Sequence, residues 1–417
     1  MKYKEVKRNM LNEIQQSILS ALRFSLFGGK KPKLNNVDVN ALLEEAKAQA
    51  VFPLVFSVFC DDLKVALTAD KYADLDSQYF GNLMNTVRVQ TEHGELHEIM
   101  QETGIPYVIM KGCASAAYYP DPELRSMGDV DFLVPEEDIP LGIKALEDHG
   151  FQRDQYEFTT NQSAYLRPPM TTWEIHKSPS GIPNGPIGVL IRKELSDMIG
   201  TAVLYERDGA CFYVPNKCHH GLILLLHKIS HMTTSGIGLR HLCDWAVFES
   251  SFSDKDFTEM YEDQLKTFGI WRFAQIMTQV CEVYLGAPKH EWAQNTEISP
   301  QLLEDIIEDV FSGGNFGHKD ENRQREIKYL TDRKKGQLGN KGLVAQAFSS
   351  MNEKVFANHS IIKKHKALLP AGWIIESGKY LSALAFGKRK SKGTTAMLKE
   401  AAKRKRIYTD MGLFDSK

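Results

Sequence analysis

The sequence has few cysteines, and they are scattered along the chain. Six occur among 417 residues, and none lies at a spacing typical of paired ligands or bridges (Cys60, Cys113, Cys211, Cys218, Cys243 and Cys281). Disulfide-rich folds belong to oxidising compartments and use recurrent cysteine spacings. The pattern therefore favours free thiols in a reducing compartment.

Long hydrophobic runs are also missing. No stretch approaches the roughly 18–20 uninterrupted apolar residues that a membrane-spanning helix requires. Residues 1–24 carry charges throughout and lack a small-residue cleavage site, which argues against a secretory signal peptide. We therefore expect a cytoplasmic protein that has no membrane partner.

Neither sign of charge predominates, because the formal net charge is −2. The exception is the C-terminal segment, where thirteen Lys and Arg face two Glu between Ile361 and Arg406. Runs such as GKRKSK and KRKR can bind nucleic acid or an anionic membrane, but basic tails are also often simply solvated. No RNA-binding signature accompanies them. Nucleic acid is a possible partner that the sequence does not favour.

Residues 104–134 carry most of the functional information. An apolar run, Ile105–Met110, ends at Lys111-Gly112, and a second apolar run carries Asp129 and Asp131. If 129–134 is a strand, the two aspartates share one face, where paired carboxylates suit Mg²⁺. A glycine turn that opens a helix offers backbone N–H groups to phosphates. The segment predicts metal-assisted chemistry on a nucleoside triphosphate.

The same residues resemble the nucleotidyltransferase superfamily that includes DNA polymerase β. That family has a strand, a Gly-Ser turn, a helix, an Asp-x-Asp strand and a third acid on a later strand. The resemblance is closer to the bacterial branch of uncharacterised nucleotidyltransferases, where Lys-Gly replaces Gly-Ser and an Arg precedes the Asp pair. It covers about residues 80–250, and the matching positions here are Lys111, Gly112, Arg125, Asp129 and Asp131.

The resemblance implies a set of site residues. The third acid is expected one helix and strand later, where Glu174 lies on an alternating stretch with His176 on the same face. Two Mg²⁺ ions would then be held by Asp129, Asp131 and Glu174, which are also the catalytic residues. The nucleotide would contact Lys111, Gly112, Ser115 and Arg125. Lys111 could instead pair with one of the acids, and Arg125 could cap or pair on a surface loop.

A histidine-rich segment follows, HHGLILLLHKISHMTTSGIGLRHLCDW, and it resembles a helix and an Arg-x-x-x-Asp pair that the family places after its catalytic domain. Arg240 and Asp244 share a helix face because they are four residues apart, and we interpret them as a structural ion pair, with a substrate role as the alternative. Contacts to the acceptor are expected from His176, His227, Lys228, His231 and Asp244. His176 could also orient Glu174, act as a general base or be purely structural.

Zinc is the alternative for the Cys and His residues near this segment (Cys211, Cys218, His219, His220, His227 and His231). Their spacings match no finger or ribbon, and HKISH lacks the Glu of a zincin helix, so zinc is disfavoured. His93 and His97, four apart, are interpreted as a solvated helix face. The glycine-bounded run at 312–317, SGGNFG, lacks a known phosphate-loop spacing and is interpreted as a mobile loop.

These patterns predict an α+β protein with a polymerase-β-like core, a small mixed sheet with helices, flanked by N- and C-terminal helical regions. The predicted divisions are 1–103, 104–215 and 216–417. The first region should hold helices at 3–25, at 39–50 after an Asp38 N-cap, and at 76–103 before Gly104.

The predicted function is Mg²⁺-dependent transfer of a nucleoside monophosphate, with AMP as first choice, from a triphosphate to a hydroxyl or phosphate of an unidentified small molecule. Three alternatives remain. The chain could bind nucleotide as a non-catalytic or regulatory protein, or it could nucleotidylate a protein or nucleic acid. An Asp-x-Asp glycosyltransferase fits the Lys-Gly turn poorly.

Overall fold

A computed structural model of the chain describes residues 11–34, 37–158, 162–319 and 394–414, with short pieces between 331 and 375. The helices of the first half are α1 (Glu13–Phe27), α2 (Val39–Ala48), α3 (Phe52–Ala66), α4 (Ala69–Thr103), α5 (Cys113–Ala116), α6 (Ile139–Asp148) and α7 (Pro186–Glu194). Those of the second half are α8 (Lys217–Thr234), α9 (Leu239–Glu249), α10 (Asp254–Thr267), α11 (Trp271–Val280), α12 (Glu291–Gln294), α13 (Pro300–Gly313) and α14 (Thr394–Asp410). Single 3₁₀ turns lie at Pro122–Leu124, Glu136–Asp138, Leu195–Asp197 and Asn315–Gly317, and a π-helical turn at Cys281–Leu285.

The helix ends follow the capping chemistry in the sequence. The Asp38 side chain accepts a hydrogen bond from the Ala41 amide at 3.2 Å, as predicted. Gly104 ends α4 in the left-handed region at φ +67°, where a side chain would be strained. Helix α4 begins earlier than predicted, and α3 was not predicted. Because α3 buries most of its circumference, its sequence shows no clear apolar stripe.

The strands are β1 (Val108–Ile109), β2 (Val130–Leu133), β3 (Gln152–Phe158), β4 (Gln162–Leu166), β5 (Trp173–His176), β6 (Val203–Arg207) and β7 (Ala210–Val214), with short strands at Thr331–Asp332 and Gln337–Leu338. Five of them form one sheet in the order β1-β2-β5-β4-β3. Only β2 and β5 run parallel; the other neighbours are antiparallel. This is the small mixed sheet that the sequence predicts.

Strand β7 belongs to a separate two-stranded sheet with β6. The sequence predicted a short strand at 211–215 but not its partner, because β6 is half exposed and has no buried apolar face. Likewise, the loop predicted for 178–188 gives way to α7 from Pro186.

Two hydrophobic cores organise the molecule. One packs the N-terminal helices α1–α3 against α8–α13, and the other packs α4 and α6 against the five-stranded sheet. The first core therefore crosses the divisions predicted at 103 and 215, which remain predictions. Among the residues that the structure describes, no helix combines the length and apolarity needed to cross a bilayer.

The KRKR run lies on α14, which packs on α13 through ion pairs. Arg404 Nε lies 2.9 Å from Asp309 Oδ1, and Lys403 Nζ lies 2.5 Å from Glu308 Oε2. Arg406 pairs with Asp305. Lys403, Arg404 and Arg406 are thus engaged by acids of the same chain. The other basic run, GKRKSK, lies outside the described residues.

Candidate active site

Parallel pairing of β2 and β5 brings two predicted acids together. Asp131 and Glu174 are paired in register, so their side chains share one face of the sheet. His176 Nε2 lies 2.9 Å from Asp131 Oδ1 and 3.3 Å from Glu174 Oε2, which confirms that Glu174 and His176 share a face. Burial lowers the pKa of His176, but hydrogen bonds to the two carboxylates outweigh it and the net shift is upward.

Asp129 immediately precedes β2 and faces the same space. The Asp131 carboxylate and the surrounding protein raise the pKa of Asp129 to about 6. Asp131 itself behaves in the opposite way. Burial alone would raise its pKa, but Lys111 and His176 hold it well below the usual range. The pair is therefore unequal, with one carboxylate fixed as an anion and one that titrates near neutrality.

Lys111 forms an ion pair with Asp131, with Nζ 2.8 Å from Oδ2. This is the alternative that the sequence left open beside a phosphate contact. Burial lowers the pKa of Lys111, yet Asp131 and Asp129 raise it more, so the ammonium stays charged. The side chain also lines the cavity, so it can reach a ligand placed beside Asp131.

Gly112 takes φ +61° as the chain turns from Lys111 into the single-turn helix α5. Ser115 is buried in that turn, with Oγ 3.5 Å from His220 Nε2. Both residues line the cavity, as predicted for a nucleotide contact. His93 packs close to Gly112 and is fully buried, with Nδ1 2.6 Å from the Val89 carbonyl. The prediction that His93 lies on a solvated face was wrong.

The two arginines differ from the sequence prediction in which of them pairs with Asp244. Asp244 pairs with Arg125, whose Nε and Nη2 donate at 2.7 and 2.8 Å, and accepts a hydrogen bond from Tyr119. The predicted Arg240–Asp244 ion pair was therefore wrong. Arg240 instead donates to the Ser126 carbonyl at 3.1 Å and lies over the Phe316 ring. Its buried Nε has no hydrogen-bond partner among the described residues.

These groups surround a cavity of about 510 Å³, within the usual range for small-molecule sites. Among the residues that line it, the acids, Lys111 and Gly112 come from the sheet and the turn into α5, and His227, Arg240, His241 and Asp244 come from α8 and α9. Of the remaining predicted acceptor contacts, Lys228 is buried with Nζ over the Trp245 ring at 5.2 Å.

Sequence reasoning missed part of the cavity wall. Asn315, Phe316 and His318 line it. The first two come from the glycine-bounded segment at 312–317 that was interpreted as a mobile loop, and His318 follows it directly. Arg240 and His241 were also missed as cavity residues. The glycines around Phe316 were the available signal, because they allow the sharp turn that places the ring at the cavity.

The acids fit a divalent metal. Asp131, Glu174 and His176 offer ligand atoms within 4.8 Å of one another. Asp129, the residue just before β2, adds a carboxylate that lines the same cavity. Carboxylate oxygens are the ligands that Mg²⁺ prefers. The raised pKa of Asp129 is the mark of crowded negative charge that a dication would relieve.

Comparisons with known proteins give one informative match. No curated protein sequence matches the chain. An antigenic nucleotidyltransferase-like protein of Paracoccidioides brasiliensis is 15% identical, with 49% of this chain and 94% of that chain covered at a TM-score of 0.30. The family model described as uncharacterised nucleotidyltransferase matches residues 35–286. That match spans more than half of the sequence and contains every predicted site residue, so the chain belongs to the uncharacterised nucleotidyltransferase family.

Proposed function

We propose that this protein transfers a nucleoside monophosphate from a Mg²⁺-bound nucleoside triphosphate to an acceptor held in the same cavity. The observation that supports the proposal is the convergence of Asp129, Asp131 and Glu174 beside a cavity of about 510 Å³. Family membership supports nucleotidyl transfer in general. The metal, ATP as first donor and the acceptor are parts of the proposal.

The three carboxylates would hold Mg²⁺, two ions in the full site. Such ions stabilise the attacking and leaving oxygens of a displacement at phosphorus. The chain's own residues prepare this site. His176 fixes the Asp131 and Glu174 carboxylates by hydrogen bonds, and Lys111 keeps Asp131 ionised.

Arg240 supplies the positive charge for phosphate oxygens. Both arginines line the cavity, but Arg125 is committed to a bidentate pair with the buried Asp244. Arg240 has no carboxylate within ion-pair distance among the described residues. Guanidinium groups bind phosphate through paired N–H donors. We therefore assign to Arg240 the phosphate contact that the sequence predicted for Arg125.

The acceptor would bind on the α8–α9 side, where His227, His241 and Asp244 line the cavity. A hydroxyl or phosphate acceptor placed there shares the cavity with the acids. The two imidazoles, the carboxylate and Arg240 on this side suit a polar acceptor rather than an apolar one.

The test is calorimetric titration with ATP, GTP, CTP and UTP, with and without Mg²⁺. We expect Mg²⁺-dependent binding of at least one triphosphate, and a loss of at least about tenfold in affinity, or about 1.4 kcal/mol, in Asp129→Asn/Glu174→Gln. Arg240→Met should weaken triphosphate binding by about tenfold, because a charge-assisted hydrogen bond is worth about 1.5–3 kcal/mol.

The matched control is Glu259→Gln/Asp263→Asn, which makes the same chemical changes on the exposed face of α10 and should bind as the unmodified protein does. Pyrophosphate release in the presence of candidate acceptors then separates transfer from simple binding. If no triphosphate binds, or if the acid variant binds as well as the control, the proposed function is wrong.

A further inference from the structure

Three histidine side chains from α8 and α9 lie close together beside the cavity. His227 and His231 lie one turn apart on α8, and His241 comes from α9. Their ring centroids are 4.2 Å apart for His227–His231 and 5.6 Å for each pair with His241. Each offers a nitrogen within 4.8 Å of the others. Tetrahedral Zn²⁺ with bonds of about 2.0–2.1 Å places its nitrogens about 3.4 Å apart, so small ring rotations suffice.

The hydrogen bonds around the cluster leave ligand atoms available. The Nδ1 atoms of His227 and His231 lie 3.3 and 3.0 Å from the hydroxyls of Ser180 and Ser235. A hydroxyl that accepts the Nδ1 proton leaves the Nε2 lone pair for a metal, which is the usual support of a metal-binding histidine.

His241 provides the second, independent sign of a ligand. It is 3% exposed, and its buried Nε2 has no hydrogen-bond partner among the described residues. Its Nδ1 accepts the Gly238 N–H at 3.3 Å, a long contact. Metal binding through Nε2 requires the ring proton to move to Nδ1, so this long bond breaks and the Gly238 N–H must find another acceptor. An unpartnered buried nitrogen otherwise costs free energy.

The charge state is also suitable. Burial is the main cause that lowers the pKa of all three imidazoles, to about 4 for His231, so they are neutral at pH 7. The charged groups that act on them are Lys111, Lys228, Arg240, Asp131 and Asp244. No carboxylate is paired with any of the three among the described residues. The cluster is therefore nitrogen-only, unlike the acid site.

We propose that His227, His231 and His241 form a site for a transition-metal dication of the Zn²⁺ class. Imidazole nitrogen selects such ions over Mg²⁺, which prefers oxygen. His227 and His241 line the cavity, and the Phe316 ring lies 4.7 Å from His231. Because two of the three ligands line the cavity, an oxygen of a molecule bound there could complete the coordination of a bound ion. The proposal does not depend on nucleotidyl transfer.

This site differs from the group of Cys and His residues between 211 and 231 for which the sequence offered zinc as an alternative. His219 bonds the Glu194 carbonyl through Nε2 at 3.2 Å, and His220 stacks on Tyr118. Of that set only His227 and His231 share the cluster, and the third ligand, His241, was not part of it.

The test uses CoCl₂ as a spectroscopic probe on the full chain after treatment with a chelator and dialysis. We expect the visible ligand-field bands of nitrogen-coordinated cobalt to saturate at one equivalent, beside any cobalt that the carboxylates of the acid site take up. His231→Gln and His241→Gln should each weaken uptake by at least tenfold. Glu174→Gln, which alters the acid site, should keep the bands, and His149→Gln, at the C-cap of α6, is the matched histidine control.

Folding is checked by far-UV circular dichroism, and ZnCl₂ should raise the Tm of the unmodified protein but not of His231→Gln. If His231→Gln is misfolded, His227→Asn takes its place. The proposal is overturned if the chain takes up no cobalt, or if Glu174→Gln abolishes the bands while the histidine variants keep them.

Discussion

At the scale of single residues, the two arginines show what spacing can and cannot predict. Arg240 and Asp244 are four apart on α9, so a local pair was a fair inference. Asp244 is instead held by Arg125, more than a hundred positions away in the sequence, through a bidentate pair that is almost fully buried. Local spacing predicts possible ion-pair partners, but tertiary packing determines which pair forms.

The acid pair predicts a pH dependence. The pKa of Asp129 is raised to about 6, so its carboxyl becomes protonated as the pH falls through that value, while Asp131 remains ionised. A protonated Asp129 is a poor ligand for a dication. We therefore expect Mg²⁺-dependent triphosphate binding to weaken about tenfold per unit below about pH 6, measured by calorimetry.

In Asp129→Asn this step should be absent, because the titrating group has been removed. A binding affinity that is flat from about pH 5 to pH 8 in the unmodified protein would contradict the assignment of Asp129 as the titrating ligand.

At the scale of elements, local signals predicted the ends and alternation of the central elements. Asp38 and Gly104 mark the start of α2 and the end of α4, and residue alternation placed Glu174 and His176 on one face of β5. Elements that are buried or exposed on all sides were not predicted from the sequence. Helix α3 is apolar around most of its surface and β6 is largely exposed, so neither shows a periodic contrast.

The α13–α14 contact predicts a role in stability for the KRKR run. Arg404 is 2% exposed and pairs with Asp309, which is 8% exposed. Breaking a buried ion pair from one side leaves a desolvated charge, so Arg404→Met should lower the free energy of unfolding by about 3 kcal/mol. Urea unfolding followed by circular dichroism measures this loss.

Lys255→Met removes a pair with Glu259 in which both side chains are well exposed, and should change stability by less than about 1 kcal/mol. Two results together would contradict a stabilising role. Arg404→Met would be as stable as Lys255→Met, and the unmodified protein would bind nucleic acid with a steep salt dependence that Arg404→Met loses. The KRKR run would then bind a polyanion instead.

At the scale of the whole molecule, the shared core predicts joint unfolding. Leu22 of α1 is fully buried in the core that also contains Trp245 and Trp292. Leu22→Ala should cost about 3 kcal/mol and shift the tryptophan fluorescence transition and the helical signal together. The exposed Val65→Ala is the control. A tryptophan transition that stays in place while helical signal is lost earlier would mean that α1–α3 unfold independently.

The overall architecture was predictable in class, and the cavity only in part. The Asp-x-Asp strand, the Lys-Gly turn and Glu174 lie within 64 residues of one another, from 111 to 174, and local patterns indicate their neighbourhood. The rest of the cavity lining depends on how α8, α9 and the 312–317 segment pack. No local pattern encodes that packing, which is why Arg240, His241 and Phe316 were missed.

The segments that line the cavity are synthesised in a fixed order, and this order affects when the cavity can bind a molecule in the cell. The ribosome releases the acids of β2 and β5 well before Asn315 and Phe316, which complete the cavity. A growing chain therefore carries its negative cluster open to water until more than three hundred residues have emerged. On the proposed function, a nucleotide bound at that stage would lack the part of the cavity that Asn315 and Phe316 line, so occupancy should arise late, after these residues have packed.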